Sequence, residues 1–308
     1  MRKENDCHKV CLLSLCFFIA IVTSVAGQQG PQFTQFMFNN MIMNPAYAGA
    51  EEALSATLLT RSQWSGVEGA PSTQAFSIHT LLRPQQVGLG LSVIRDQIGV
   101  HSYTNIRTNY AYHVRVSKDA ILSVGLQAGV TSLKSDYASL LGNSGDPRLM
   151  SSLQETMRGF GAGVYYRTKR WCAGLSVPEL MSKNITVQDT LRVRVRRSNV
   201  LGYARYSFVM NESFDLEPGI LVKYFPGVPM SADVNVNVVY KKVLTGGLSY
   251  RSKESVDLLM WFQLTPQLQL GYAYDHPVSL ASRIGSASHE LMVSYLFRNI
   301  QRDVASPR

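Results

Sequence analysis

The chain has 308 residues, of which 45% are apolar and only 17% charged, with a formal charge of +9. No apolar run of about 18 residues follows the N-terminus, which excludes a polytopic helical membrane protein. An average of this kind fits a transmembrane barrel, because half of every strand is then polar.

Residues 1–27 read as a secretory signal peptide. Arg2, Lys3 and Lys9 make a basic start, Val10 to Val25 an apolar core, and Ser24-Val25-Ala26 a small-x-small cleavage site. Leu15 stands where a lipoprotein signal would need a small residue before Cys16, which argues against lipid attachment. Cleavage carries off Cys7, Cys11 and Cys16, leaving Cys172 alone and no intramolecular disulfide. Cys172 sits in a strand-like neighbourhood and reads as a small packed hydrophobe. Losing three basic and two acidic residues takes the formal charge from +9 to +8. That excess suits acidic lipid head groups or an acidic partner, and in an exported chain it does not point to nucleic acid.

Residues 28–50 have no periodicity, yet their aromatic and methionine content is too apolar for a linker. They read as an N-terminal plug or periplasmic segment, with Asn44-Pro45 as a turn. Phe33, Phe36 and Phe38 are the side chains expected to pack it into a lumen or periplasmic mouth.

From residue 51 the pattern changes to period two. Ile106, Thr108, Tyr110, Tyr112, Val114 and Val116 make one face of a strand, and Arg107, Asn109, Ala111, His113 and Arg115 the other. After the turn Ser117-Lys118-Asp119 the alternation resumes, with Leu122, Val124, Leu126, Ala128 and Val130 opposite small or polar residues. Two such runs across a short turn are an antiparallel hairpin. Soluble strands average about 5–6 residues and a tilted membrane-crossing strand about 9–11, so these runs favour a barrel whose apolar face meets lipid.

Continuing the alternation places strands at 53–63, 72–82, 86–96, 102–116, 120–134, 158–168 and 170–177, then 194–210, 213–225, 229–240, 242–252, 255–264, 267–275 and 287–297. This predicts an all-β, antiparallel transmembrane barrel of about 14 strands over residues 51–298, with a polar tail at 299–308. The connections near Arg83, Lys118, Lys169, Glu212, Lys241 and Pro266 are short, while those at 135–157, 177–193 and 276–286 are long. Short turns mark the periplasmic side of such barrels, which puts both termini there. Trp64, Tyr103, Tyr165, Trp171, Tyr224, Tyr240, Tyr250, Trp261 and Tyr295 are expected near strand ends or on lipid faces, as an interfacial belt.

Arg192, Arg194 and Arg196, with Arg197 beside them, fall at the start of the expected eighth strand. They read either as a solvated rim balanced by acids such as Asp189 or as a surface for acidic lipopolysaccharide or cargo. Catalytic patterns are missing: the six histidines have no metal-ligand spacing, and there is no nucleophile elbow, phosphate loop or His-Glu-x-x-His. The glycine pairs Gly88/Gly90 and Gly161/Gly163 lie within strands, where same-face glycines mark close approach inside a barrel. The expectation is a non-enzymatic chain without cofactor or metal.

An ordered series of motifs adds to this. PQFTQFMFN around Phe33, NPAYAG with Asn44, Pro45 and Gly49, then Arg61-Ser-Gln-Trp64, Gly69-Ala-Pro71, Val87-Gly-Leu-Gly90 and Asp96-Gln-Ile-Gly99 follow one another, with Tyr110-Ala-Tyr112 beyond. In this order they resemble the PorP/SprF family of outer-membrane proteins of the Bacteroidetes type IX secretion system, most densely over residues 28–130. The resemblance implies a secretion component, with possible service to gliding motility, whose partners besides lipid are ring or lipoprotein components or a secreted adhesin. It would anchor the export complex or support one cargo bearing a C-terminal signal. Two other readings stand beside it on architecture alone: a passive channel for small solutes, and a closed structural barrel.

Overall fold

The computed structural model describes residues 31–83, 85–137, 152–180, 183–187, 191–196, 198–278 and 286–297. Fourteen strands form the wall. They are β1 (Leu54–Ser62), β2 (Ser72–Leu82), β3 (Val87–Ile98), β4 (His101–Arg115), β5 (Ile121–Ser135), β6 (Leu153–Arg167) and β7 (Trp171–Glu179). The second half is β8 (Asn199–Tyr206), β9 (Phe214–Tyr224), β10 (Ser231–Tyr240), β11 (Leu244–Arg251), β12 (Ser255–Gln263), β13 (Leu268–Pro277) and β14 (Ser288–Phe297). Each pairs with its sequence neighbours, and β1 pairs antiparallel with β14, Leu54 opposite Phe297 and Ser62 opposite His289. Closure leaves the sheet without an edge, which is the condition for burying a sheet in lipid.

The alternation decides which face is outside. On β5, Val124, Leu126 and Val130 are exposed, whereas Ser123, Gln127 and Thr131 are buried. The same parity holds on β10, where Val234, Val236 and Val238 face out and Asp233, Asn235 and Asn237 face in. A soluble sandwich would have the reverse arrangement. Among the described residues no helix is long and apolar enough to cross a membrane.

The two ends of the barrel differ. At the turn end lie the connections at 83–86, 116–120, 168–170, 207–213, 241–243 and 264–267, all short; the loop end has short ones at 99–100, 225–230 and 252–254 and all of the longer ones, at 63–71, 136–152, 180–198 and 278–287.

Three expectations need correction. β6 begins at Leu153, not near 158. Its extra turn-distal residues abandon the membrane pattern: Leu133 and Met157 are buried with Tyr103 and Leu153 against them, while Lys134, Gln154 and Thr156 are exposed. That apolar-in, polar-out arrangement belongs to a sheet standing in water, so the lipid-based alternation stops short of it. β8 begins at Asn199, and residues 183–196 instead contain a separate two-stranded hairpin, Lys183–Val187 with Leu191–Arg196. Arg192, Arg194 and Arg196 therefore lie on that hairpin and not on a wall strand, while Asp189 and Arg197 fall outside the described residues. Finally, Tyr165 and Trp261 are buried inside the barrel and Tyr103 packs inward, so these three leave the aromatic belt. Their neighbours Val164, Tyr166, Met260 and Phe262 occupy the lipid face, and strand alternation sends Tyr165 and Trp261 to the lumen.

Candidate functional site

The lumen is occupied by the chain's own N-terminal segment. Residues 36–47 form three short 3-10 turns, Phe36–Phe38, Asn40–Ile42 and Pro45–Tyr47, most of whose residues are buried. The segment runs lengthwise through the barrel. Gln32 reaches Arg251, the last residue of β11 at the loop end, whereas Ala48 meets His113 near the turn end. Consequently the first described residue, Pro31, is exposed at the opposite end of the barrel from Phe297. This departs from the expectation that both termini lie on the periplasmic side: the segment enters the lumen from the loop end and threads it before β1 begins.

At the loop end the anchorage is ionic. Both Glu290 carboxylate oxygens accept a backbone N–H, from Thr34 and Gln35, each at 2.9 Å. Arg61 pairs with Asp275 at 2.6 Å and Glu290 at 3.2 Å, and donates to the Thr34 hydroxyl at 2.8 Å. Thr34 in turn donates to Asp275 at 2.7 Å and accepts from Arg251 at 3.1 Å. Arg251 also faces Asp233 and, farther off, Asp257, and Lys223 lies 2.9 Å from Asp233. The Arg61 side chain is 2% exposed and that of Glu290 is 0% exposed. Charges so deeply buried are tolerable only when paired and hydrogen-bonded; the wall supplies the pairing, and the segment supplies part of the hydrogen bonding.

In the middle the anchorage is apolar. Phe36 packs edge-on to Tyr203 and in one cluster with Leu221 and Leu259, and Phe38 packs edge-on to Trp261 with ring centroids 4.2 Å apart. Phe33 contacts the cluster of Ile42, Leu59, Ala75, Ile94 and Met292.

Toward the turn end the anchorage is a matter of shape. Asn44 caps the last turn: its Oδ1 accepts from Ala46 N at 3.0 Å, while its Nδ2 donates to the Val164 carbonyl at 2.9 Å. Pro45 follows at the first position of that turn, where a missing N–H costs nothing. The backbone then runs so close to the wall that a Cβ on Gly88 would overlap the Ala48 carbonyl, and one on Gly125 would overlap Ala46. Gly163 and Gly174 make the same allowance for the Asn44 side chain. His113 spans the gap, with Nε2 2.8 Å from the Ala48 carbonyl and Nδ1 2.7 Å from Ser123 Oγ, a geometry met by a neutral ring protonated on Nε2. Gly49, at φ +81°, donates to His79 Nδ1 at 3.2 Å.

The structure brings Phe33, Asn44, Pro45, Gly49 and Arg61 into this one assembly. Asp96 is buried in the wall, accepting from Thr73 at 2.6 Å. Trp64 and Gly99 lie instead in loop-end connections: Trp64 N donates to Ser288 Oγ, and Gly99 N to the Gly69 carbonyl at 2.9 Å. Arg192, Arg194 and Arg196 stand apart on the hairpin. Sequence reasoning missed the acceptors and cations that complete the ionic layer, namely Glu290, Asp275, Asp233, Arg251 and Lys223. The available signal was an isolated charge on the polar face near one end of each strand, and only the register aligns those charges into a layer.

A closed antiparallel barrel with an apolar outer face and a polar, internally filled lumen is an outer-membrane β-barrel. The family model described as type IX secretion system membrane protein PorP/SprF matches residues 25–295, and the chain belongs to this family. A search of curated proteins finds no match. Among solved structures, it is similar to the CymD monoaromatic hydrocarbon channel, at 11% identity and TM-score 0.51, over 84% of this chain and 93% of that one. The Ralstonia pickettii toluene transporter TbuX aligns over the same shares at 10% identity and TM-score 0.49. These likenesses are of fold.

Proposed function

We propose that this outer-membrane member of the type IX secretion family works as a non-enzymatic docking component, anchoring the export complex or supporting release of a particular C-terminal-signal cargo, and that residues 28–50 serve as its resident plug. The observation that carries the reading is the filled lumen. A solute conduit needs a continuous space, whereas here the segment is tied by hydrogen bonds to the paired, buried charges of the wall at one end and seated against wall glycines at the other. What remains for function is the surface at the two ends. In this reading the turn end faces the periplasm, where ring or lipoprotein partners would bind, and the loop end faces outward, where an adhesin cargo would appear. Residues 1–27 act as the signal peptide, and the tail at 299–308 extends into the periplasm.

The test is a clean deletion, free of a redundant paralogue, followed by analysis of surface and medium proteins. Loss of at least one large C-terminal-signal protein supports the reading, and unimpaired export overturns it. The channel alternative draws on the likeness in fold to a hydrocarbon channel. It predicts solute flux through the unmodified protein in liposomes, while docking predicts none.

A further inference from the structure

Charge at the turn end is distributed one-sidedly. Arg83 lies between β2 and β3, Arg115 and Lys118 at the β4–β5 turn, and Arg167, Lys169 and Arg170 at the β6–β7 turn. These are three successive turns on one side of the barrel, six basic residues with only Glu51, Glu52 and Asp119 nearby. Arg167 pairs with Glu52 and Lys169 with Asp119, each at 2.7 Å, and Arg83 donates to the Glu52 carbonyl. Arg115, Lys118 and Arg170 are exposed and in no ion pair among the described residues. On the other side the turns are different in kind. Asn211-Glu212-Ser213 is acidic, Thr265-Pro266-Gln267 is uncharged, and only Lys241-Lys242 is basic.

From this asymmetry we infer that the crescent formed by the β2–β3, β4–β5 and β6–β7 turns is a docking surface for an acidic face of a periplasmic protein. Lipid head groups surround a barrel on every side, so a device for holding them would distribute its charge around the whole circumference. A partner that binds from one side needs charge on that side only, where complementarity steers its approach and fixes its orientation. The crescent also borders the place where the N-terminal segment leaves the lumen, since Glu52 is held there by Arg167. The inference rests on the turn end facing the periplasm, and its test separates that premise from the secretion role.

The experiment uses the full mature chain in detergent micelles and a labelled ten-residue polyglutamate peptide as probe. A crescent variant, Arg115→Gln with Lys118→Gln and Arg170→Gln, is compared with a control variant, Lys241→Gln with Lys242→Gln. At low ionic strength the crescent variant should bind the peptide at least tenfold more weakly and the control less than twofold, with short-chain phosphatidylglycerol held equally by all forms. Equal weakening by both variants would overturn the inference, as would loss of phosphatidylglycerol binding in step with the peptide. Orientation is read from Lys118→Cys, because Cys172 is buried. Labelling by an impermeant maleimide only after the outer membrane is opened supports the inference. Labelling in intact cells puts the crescent on the cell surface and overturns it, while the export assay on the deletion strain still judges the secretion role.

Discussion

The two ends of the plug are held by different physics. At the loop end Thr34 and Gln35 lie in a layer of buried charges whose strength depends on complete pairing. Toward the turn end, Asn44 to Gly49 lie against glycines, and the fit depends on there being no atoms in the way. A charge layer fails when a partner is removed; a steric seat fails when an atom is added. The same segment is thus open to two opposite kinds of damage.

The largest effect is expected from adding atoms at the seat. Gly125→Val would drive a side chain into the Ala46 backbone, which has no freedom to yield, so residues 44–50 must leave the wall. Planar-bilayer recordings should then show a step increase in conductance, and limited proteolysis should cut within 31–50. A closed, protected variant would show that the seat does not hold the segment.

Removing a partner at the other end should come next. Arg61→Ala leaves Glu290 buried without its cation and Asp275 with only the more distant Arg251, a loss of about 3–5 kcal/mol, whereas Glu290→Gln keeps an acceptor and should cost less. Denaturant unfolding compares the two, and equal losses would argue against an ionic anchor. Asn44→Ala removes the cap and the tie to Val164, for about 1–2 kcal/mol, readable as faster hydrogen exchange at Ala46.

The smallest effect concerns Glu52, just below the seat. The hydrogen bond from Arg167 holds its carboxyl below the usual range, against the opposing effect of partial burial. A depressed folded pKa means stability fully present above the ordinary carboxylate pKa and lost as pH falls through the folded value. The side chain is 43% exposed, so solvent screening limits the contribution to a few tenths of a kcal/mol. Melting of the wild type and Glu52→Gln should differ slightly at pH 7 and converge as the pH falls below the depressed folded value of the Glu52 carboxyl.

The sequence alone determined the barrel, its number of strands and its two unlike ends, because period-two alternation and connection length are local properties. It also determined the family, through motifs read in order along the first third of the chain. Tertiary structure alone decided what those motifs touch. Arg61 reads as one cation in a strand until the register sets Glu290 opposite it and Asp275 lies within its reach. Gly88 and Gly125 read as small residues until the segment is seen to fill the space that their missing side chains leave. Tyr165 and Trp261 share strand parity with Gly163 and Asp257, so alternation already sends them inward, but only the fold shows that Tyr47 and Phe38 of the plug meet them there. The physical reason is common to all three. Alternation encodes which side of one strand a residue occupies, while contact across a lumen depends on the register of many strands at once.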